Sequence, residues 1–576
     1  MFIKFLKNNL YIILILLVAS ILRLYQLSSV PASLFGDEMD VGYHAYSMLK
    51  TGKDYQGNFL PFNFHSLAEW RTPLYLYSAV PTVAIFGITP LGVRLPAVIY
   101  GVLSILGFYL LVKQLKIGNK VTSSGVKFEI VASALLAVNP WHLQYSRAGF
   151  EVTMLLAFLL FGLYFFYLSL ENKGKYLWLS GILLVLTPVI YSTAKFFTLF
   201  LLIFLIITYR KQILGLSKPY ILYTIYCTLV AGLLVSYSVL FSGGSQRFNY
   251  ISVFSDPTTE SEIGTSRLND ARSRGETGTG LNPSILDRVI HNKFTYWGQK
   301  IENNLVQTLS SDFLFLSGDP NPRHSMDGYG MFFKFDFVLL LIGIIYFFYS
   351  KNQSLSTKSL VVFWIFIGIL PSALTRDGGN HSTRLILILP PLMLLISYGA
   401  SKVFEYNKYL IYILIAIWMT SFGLYLHTYY SHYPSASERW WHYGWAPAVS
   451  EIKKIDSNFE KVIITMKDEP AWVFFAGAYE YDPTKWQREY PIGNDTELNG
   501  FGKVSHTDKF YFGSPQGGIY ELEKVIDNKT LYLASSKEVS WNLIMDPTKV
   551  PNGLKLIKSF AYPSGEPAFY LFTKQQ

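Results

Sequence analysis

Cysteine, charge and nucleotide-binding glycine patterns are all scarce in this sequence, and each shortage narrows the field. The only cysteine among 576 residues is Cys227, inside an apolar run, so no intramolecular disulfide can form and the redox compartment cannot be read. Charged residues make up 15% of the chain, well below the roughly 25% of a soluble globular protein. No Walker motif, glycine-rich dinucleotide loop, nucleophile elbow or Cys/His metal spacing occurs, nor any repeat of fixed period. What the chain has instead is apolar sequence, at 51%, with 17% aromatic residues. That composition describes a polytopic membrane protein. The net charge of +10 falls mainly as pairs and triplets of Lys and Arg between apolar runs, where it sets orientation, and nucleic acid is the weaker reading.

Crossing a hydrocarbon core of about 30 Å takes about 20 helical residues. Eleven runs qualify as expected spans: 9–27, 94–115, 128–141, 151–171, 176–190, 194–209, 219–241, 334–350, 359–375, 383–401 and 408–428. The first follows Lys4 and Lys7 like a signal peptide, but it lacks a small-residue cleavage site and leads into further spans, so it reads as a retained helix. The stretch 73–88 is apolar but short, carries Pro81 and ends at Gly87; it is expected in the interface.

Short loops containing Lys4 and Lys7, Lys113 to Lys127, Lys173 and Lys175, Arg210 to Lys218, Lys351 and Lys358, and Lys402 and Lys408 then fall on the cytoplasmic side. The opposite short turns hold only Arg147, Lys195, Arg376 and Arg384. The expected organisation is a transmembrane domain over 1–428, with outer segments 28–93 and 242–333, and an extracytoplasmic α/β domain over 429–576. The tail carries strand-like runs "KVIITM", "KFYFG", "TLYLAS" and "AFYLFT" and a helix at 446–456.

Asp37, Glu38 and Asp40 follow the first span in "FGDEMDVGYHAYSML". Gly36-Asp37 reads as a turn into a helix, with Asp37 as its cap and Asp40 three positions on, where a capping box places an acid. Helical spacing puts Asp37, Asp40 and His44 roughly on one face. Two carboxylates about 4 Å apart repel by roughly 4 kcal/mol at an effective dielectric of 20, so keeping Asp37 and Glu38 adjacent needs a reason.

That stretch, followed by "EWRTPLYLYSAVPTVAIFG" with Glu69 and Arg71 and by "GVRLPAVIYGVLSILGFYLLVKQL", resembles the opening of the bacterial dolichyl-phosphate-mannose protein mannosyltransferase-like family, glycosyltransferases of the GT-C fold. "NPWHLQYSRAGFE", "GDPNPRHS" and "GNHSTRLILILPPLMLL" extend the resemblance over most of residues 1–400. It implies sugar transfer from a polyprenyl-phosphate donor to an acceptor on the outer face of the plasma membrane, with the acidic pair in the active site. A phosphate leaving group lessens the need for a general acid, and a base is still needed for the acceptor's proton. Asp37 is the candidate base, and Glu38 the residue that positions it or the acceptor.

The departing phosphate needs cations. Lys195 in "IYSTAKFFT" sits at an outer span end where the charge bias disfavours it, and an exceptional charge there is a functional hypothesis, weighed against snorkelling. Arg384 with His381 lies at the outer start of the tenth span; Arg147, and Arg323 with His324, are weaker candidates, as are Asp40, His44, Glu69 and Arg71 for substrate. "DEMD" offers three carboxylates to a divalent ion. The Asp-any-Asp arrangement of metal-dependent oligosaccharyltransferases is absent there, which disfavours a metal, and no other cofactor is called for. The rival reading is a transporter or flippase of lipid-linked saccharides, but its distinctive acids would lie near mid-membrane and its helices would be paired and interrupted.

Overall fold

The computed structural model describes residues 2–67, 69–117, 127–241, 250–277, 282–407, 409–468, 470–489 and 496–575. The side chains of Lys4, Lys7 and Glu69, together with Lys120, Lys408 and the first residues of the 242–333 segment, lie outside the described residues.

The chain is a polytopic helical membrane protein with a C-terminal β-sheet. Among the described residues, seven helices are long and apolar enough to cross a membrane: Pro90–Gln114, Val152–Glu171, Ala194–Leu214, Lys218–Ser238, Leu355–Ala373, Ser382–Tyr406 and Leu410–Ser431. The other four expected spans are apolar helices of lesser length, over Asn9–Leu24, Phe128–Val138, Leu177–Val189 and Asp336–Tyr349, so the count of eleven is not reached by length and composition. Helix Pro73–Phe86 has 14 residues, which at 1.5 Å each reach about 21 Å and fall short of a hydrocarbon core.

Two compact units divide the chain. The first comprises residues 1–19, 101–144 and 152–421. Its closest packing joins helix Asp336–Tyr349 to helix Leu389–Tyr406, where a Cβ on Gly343 would meet the Leu395 carbonyl oxygen at 1.9 Å and one on Gly399 the Leu339 oxygen at 2.0 Å. Only glycine allows backbones this near, and in lipid such small-residue seams replace the hydrophobic drive that water supplies elsewhere. The expected span 383–401 is not one uninterrupted α-helix: a short helix, Ser382–Leu385, passes through a 3-10 turn into Leu389–Tyr406. Pro390 and Pro391 at the start of that last helix lack the N–H groups that would carry an α-helix through the turn. The polar segment after the seventh expected span contains helices Thr259–Ser273, Ile285–Ile290 and Lys293–Thr308.

The second unit comprises residues 20–100, 145–151 and 422–576. The tail therefore packs with the first outer segment, and the packing does not divide the chain at residue 428. Its seven-stranded sheet runs in the order Thr496–Leu498, Gly502–Thr507, Phe510–Phe512, Lys461–Ile464, Thr530–Ser535, Pro567–Lys574, Leu554–Ala561. Lys461–Ile464 pairs in parallel with both neighbours and the remaining pairs are antiparallel. Strand Thr530–Ser535 is buried at every position, as a central strand covered on both faces should be. Helix Ala471–Tyr479 meets helix Gly36–Thr51 where Gly477 faces Met39, and a Cβ there would stand 2.3 Å from the Met39 sulfur. Tyr43 donates to the Tyr481 carbonyl at 3.1 Å, and the Gln487 amide donates to Ser47, Thr51 and the Asp54 carbonyl.

Candidate functional site

The acidic motif opens helix Gly36–Thr51, and the helix starts two residues earlier than a cap at Asp37 requires. Phe35 holds the cap position with extended backbone and no side-chain cap bond. Its ring is buried against Phe150 and Trp441, and the Gly36 N–H is satisfied by Nδ1 of His442 at 3.2 Å. Asp37 is thus the second helical residue, and its carboxylate is not consumed by capping. Negative charge there still suits the positive end of the helix dipole.

Successive helical residues point about 100° apart, and this separates the two acids. Asp37 turns outward, 41% exposed, to meet Nη2 of Arg71 at 2.6 Å from the hairpin strand Glu69–Arg71. Glu38 turns inward and has no exposure. Arg94 Nε donates to its Oε1 at 2.7 Å and Nη2 to its Oε2 at 2.8 Å, while the Gly149 N–H donates to Oε1 at 2.7 Å. The rest of the Arg94 guanidinium is spent on the carbonyls of Leu27, Pro31 and Ser33. Glu38 is therefore the anchor of a buried pair that ties the first turn of helix Gly36–Thr51 to helix Pro90–Gln114 and to residue 149. It is in no position to meet an acceptor.

Asp40 is also interior. Tyr55 donates to its Oδ1 at 2.9 Å, Ser66 donates to Oδ2, and Nε2 of His44 stands 3.8 Å away. Burial pushes the Asp40 carboxyl up to about 6 and the His44 imidazole, stacked on Tyr55, down to about 3. The three carboxylates of "DEMD" thus have three separate sets of partners and do not converge. Arg147 is buried as well: Nη1 donates to the carbonyls of Leu22 and Arg23, Nη2 to that of Val30, and the guanidinium lies over Tyr429 and Tyr430.

The remaining candidates belong to the other unit. Lys195 is half-buried in the first turn of helix Ala194–Leu214. Arg384 is buried and donates from Nη1 to Thr375 Oγ1 at 2.8 Å. His381 precedes helix Ser382–Leu385, and its ring lies 5.2 Å from that of His324. Between them is a residue the sequence reading passed over inside "GDPNPRHS". Asp319 accepts at Oδ2 from His324 Nδ1 at 2.9 Å and from the Ser382 N–H and hydroxyl at 2.8 and 2.7 Å, and at Oδ1 from the Asn321 N–H at 2.9 Å. Burial alone would raise this carboxyl, but the His324 and His381 imidazoles and the hydrogen bonds outweigh it and bring it down to about 2. Arg323 bonds back to Asn321 and gives its carbonyl to Gln144. The signal for Asp319 was its place five residues before His324 in a stretch of turn formers, where an Asp closes an Asx turn onto the residue two further on.

These features define a helical membrane protein with one exposed acid at a helix start and a His-carboxylate cluster at a span start. Residues 71–235, under a third of the chain, match the family model of dolichyl-phosphate-mannose-protein mannosyltransferase, which bears out the resemblance read in the sequence. No curated protein matches the chain. Among solved structures, the Archaeoglobus fulgidus oligosaccharyltransferase in its apo form is similar at 13% identity and TM-score 0.47, over 99% of this chain and 75% of that one. ArnT from Cupriavidus metallidurans bound to undecaprenyl phosphate is similar at 11% identity and TM-score 0.41, over 98% of both chains. The arabinofuranosyltransferase AftD from Mycobacteria is similar at 11% identity and TM-score 0.44, over 99% of this chain and 40% of that one.

Proposed function

We propose that the protein is a membrane glycosyltransferase that moves a sugar from a polyprenyl-phosphate donor to an acceptor hydroxyl on the outer face of the plasma membrane, with Asp37 as base. The observation that carries this reading is the state of Asp37: exposed, oriented by Arg71 and not used as a helix cap. The family match over residues 71–235 supports the donor class. In the transfer the acceptor oxygen bonds to the anomeric carbon from the side opposite the phosphate. The bond from that carbon to the phosphate oxygen breaks, Asp37 takes the acceptor's proton, and polyprenyl phosphate leaves with the bonding pair. One carboxylate suffices for such a single inverting displacement. Lys195, His381 and Arg384 are the groups assigned to the phosphate. Glu38 keeps a structural role in this scheme. The acceptor is a protein hydroxyl, an envelope glycan or a lipid, and the topology has the N-terminus in the cytoplasm and residues 429–576 outside.

Asparagine keeps the shape and most hydrogen bonds of Asp37 but cannot take a proton near neutral pH. Release of polyprenyl phosphate from a labelled donor by purified Asp37→Asn should fall by roughly 10² to 10⁴ with donor binding kept. Lys195→Met and Arg384→Ala should instead weaken donor binding by roughly tenfold, the equivalent of one charge-assisted contact. Near-parental transfer by a well-folded Asp37→Asn protein would sink the assignment.

A further inference from the structure

We propose that Asp319, His324 and His381 hold a divalent transition-metal ion of the zinc type. Each offers a ligand atom, and these atoms lie within 4.8 Å of one another. A tetrahedral ion with bonds of about 2.0–2.2 Å draws its ligands to about 3.4 Å apart, so side-chain rotations of the two imidazoles close the site without moving the backbone. Two imidazoles and one carboxylate form a donor set that suits zinc and not magnesium or calcium, which prefer oxygen alone. Three protein ligands leave a fourth position open, as in zinc sites that bind a water or a substrate oxygen.

The carboxylate is already fixed for the task. Oδ2 accepts three hydrogen bonds, from His324 and from the N–H and hydroxyl of Ser382, and is saturated. Among the described residues Oδ1 accepts only from the Asn321 N–H, which leaves it a lone pair for a metal. His324 Nδ1 faces the Asp319 carboxylate at 2.9 Å, and an ion bound to Nδ1 takes the place of that hydrogen bond. An ion here would join the end of the 242–333 segment to the start of the span beginning at Ser382, two pieces of one compact unit.

The test is metal content, which is read without turnover and so fails or succeeds independently of the proposed transfer reaction. Full-length protein in a Cys227→Ser background is stripped with chelator, equilibrated with zinc and gel-filtered, and its zinc is measured by plasma mass spectrometry. Cobalt titration followed by visible absorption reports the coordination. About one zinc per chain is expected, with zinc affinity lowered at least about tenfold in His324→Ala and in His381→Ala. His427 and His432 form a second, exposed histidine pair 3.3 Å apart, so His427→Ala is the control and should leave the tight zinc in place. The parent protein also carries a readout that needs no variant, a rise in melting temperature with added zinc. Absence of both bound zinc and the thermal shift in the parent overturns the proposal, and so does zinc that follows His427 and not His324 and His381.

Discussion

Two buried charge clusters, one in each compact unit, are built in different ways. In the unit of residues 20–100, 145–151 and 422–576, Glu38, Arg94 and Arg147 have no exposure; Glu38 and Arg94 bind each other, and the hydrogen bonds of the three otherwise run to backbone oxygens or amides of Leu22, Arg23, Leu27, Val30, Pro31, Ser33 and Gly149. In the unit of residues 1–19, 101–144 and 152–421, Asp319 gathers two imidazoles and a serine into a cluster built from side chains. The first pattern holds loops in shape, because a guanidinium that binds several carbonyls fixes several turns at once. The second concentrates titratable and ligating groups in a small volume, which is what chemistry or ion binding needs. Asp37 fits neither pattern, an acid with 41% of its side chain accessible beside an acid locked in the interior.

Breaking the interior pair should have the largest effect. Glu38→Ala leaves the Arg94 charge buried without its counter-ion, and removing one partner of such a pair destabilises by about 3–5 kcal/mol. Chemical unfolding in detergent should show that loss for Glu38→Ala and a comparable one for Arg94→Ala. A change within about 1 kcal/mol in both would mean that the pair is dispensable, and the contrast between the two acids would collapse.

Much of this was legible in the sequence, for identifiable reasons. The long apolar helices, the short helix 73–86 and the four strand-like runs of the tail follow from period and length, which are local properties. Strands Gly502–Thr507 and Leu554–Ala561 were missed because they carry polar residues at alternate or outward positions and lack a continuous apolar run. The cap at Asp37 was misplaced because a buried aromatic, Phe35, took the position that polarity alone assigns to an acid, with a distant histidine ring supplying the acceptor. His44, four positions on from Asp40, follows from helical spacing, but the hydrogen-bond partners Tyr55, Ser66, Arg94 and Gly149 of Glu38 and Asp40 lie 15 to 111 positions away, where no spacing rule reaches.

The next effect tests whether the interior is as dry as the buried pair implies. The His44 imidazole, ordinarily at 6.5, is lowered to about 3 by burial, so between those values the unfolded chain holds a proton the folded one lacks, and stability falls as pH drops. The Asp40 carboxyl, ordinarily at 3.8, is raised to about 6 by burial, so between those values the folded chain holds the extra proton, and stability falls as pH rises. Across pH 4 to 6 the two slopes, each up to about 1.4 kcal/mol per pH unit, oppose and largely cancel. Melting temperatures in that window should therefore be nearly flat for these groups in the parent. His44→Asn should expose a loss of stability with rising pH, and Asp40→Asn a gain. Slopes of the same sign in both variants would show that the two groups are not buried as the packing implies.

The smallest effect on stability, and the sharpest on the comparison, concerns the outer pair. Asp37 and Arg71 meet at 2.6 Å, a closer approach than Glu38 to Arg94, yet Asp37 is 41% exposed and water competes for its carboxylate. Ion pairs that water reaches typically contribute roughly 0–1 kcal/mol. Arg71→Gln should therefore unfold within about 1 kcal/mol of the parent, and a double-mutant cycle with Asp37→Asn should give a coupling energy in the same small range. If Asp37 is the base, the same Arg71→Gln protein should lose turnover, because the carboxylate is no longer held toward one direction, and the loss should vanish in an Asp37→Asn background that has no base to orient. A coupling of several kcal/mol in unfolding would make Asp37 a second structural acid like Glu38. Normal turnover in Arg71→Gln alongside a defective Asp37→Asn would leave Asp37 as base but remove Arg71 from its positioning.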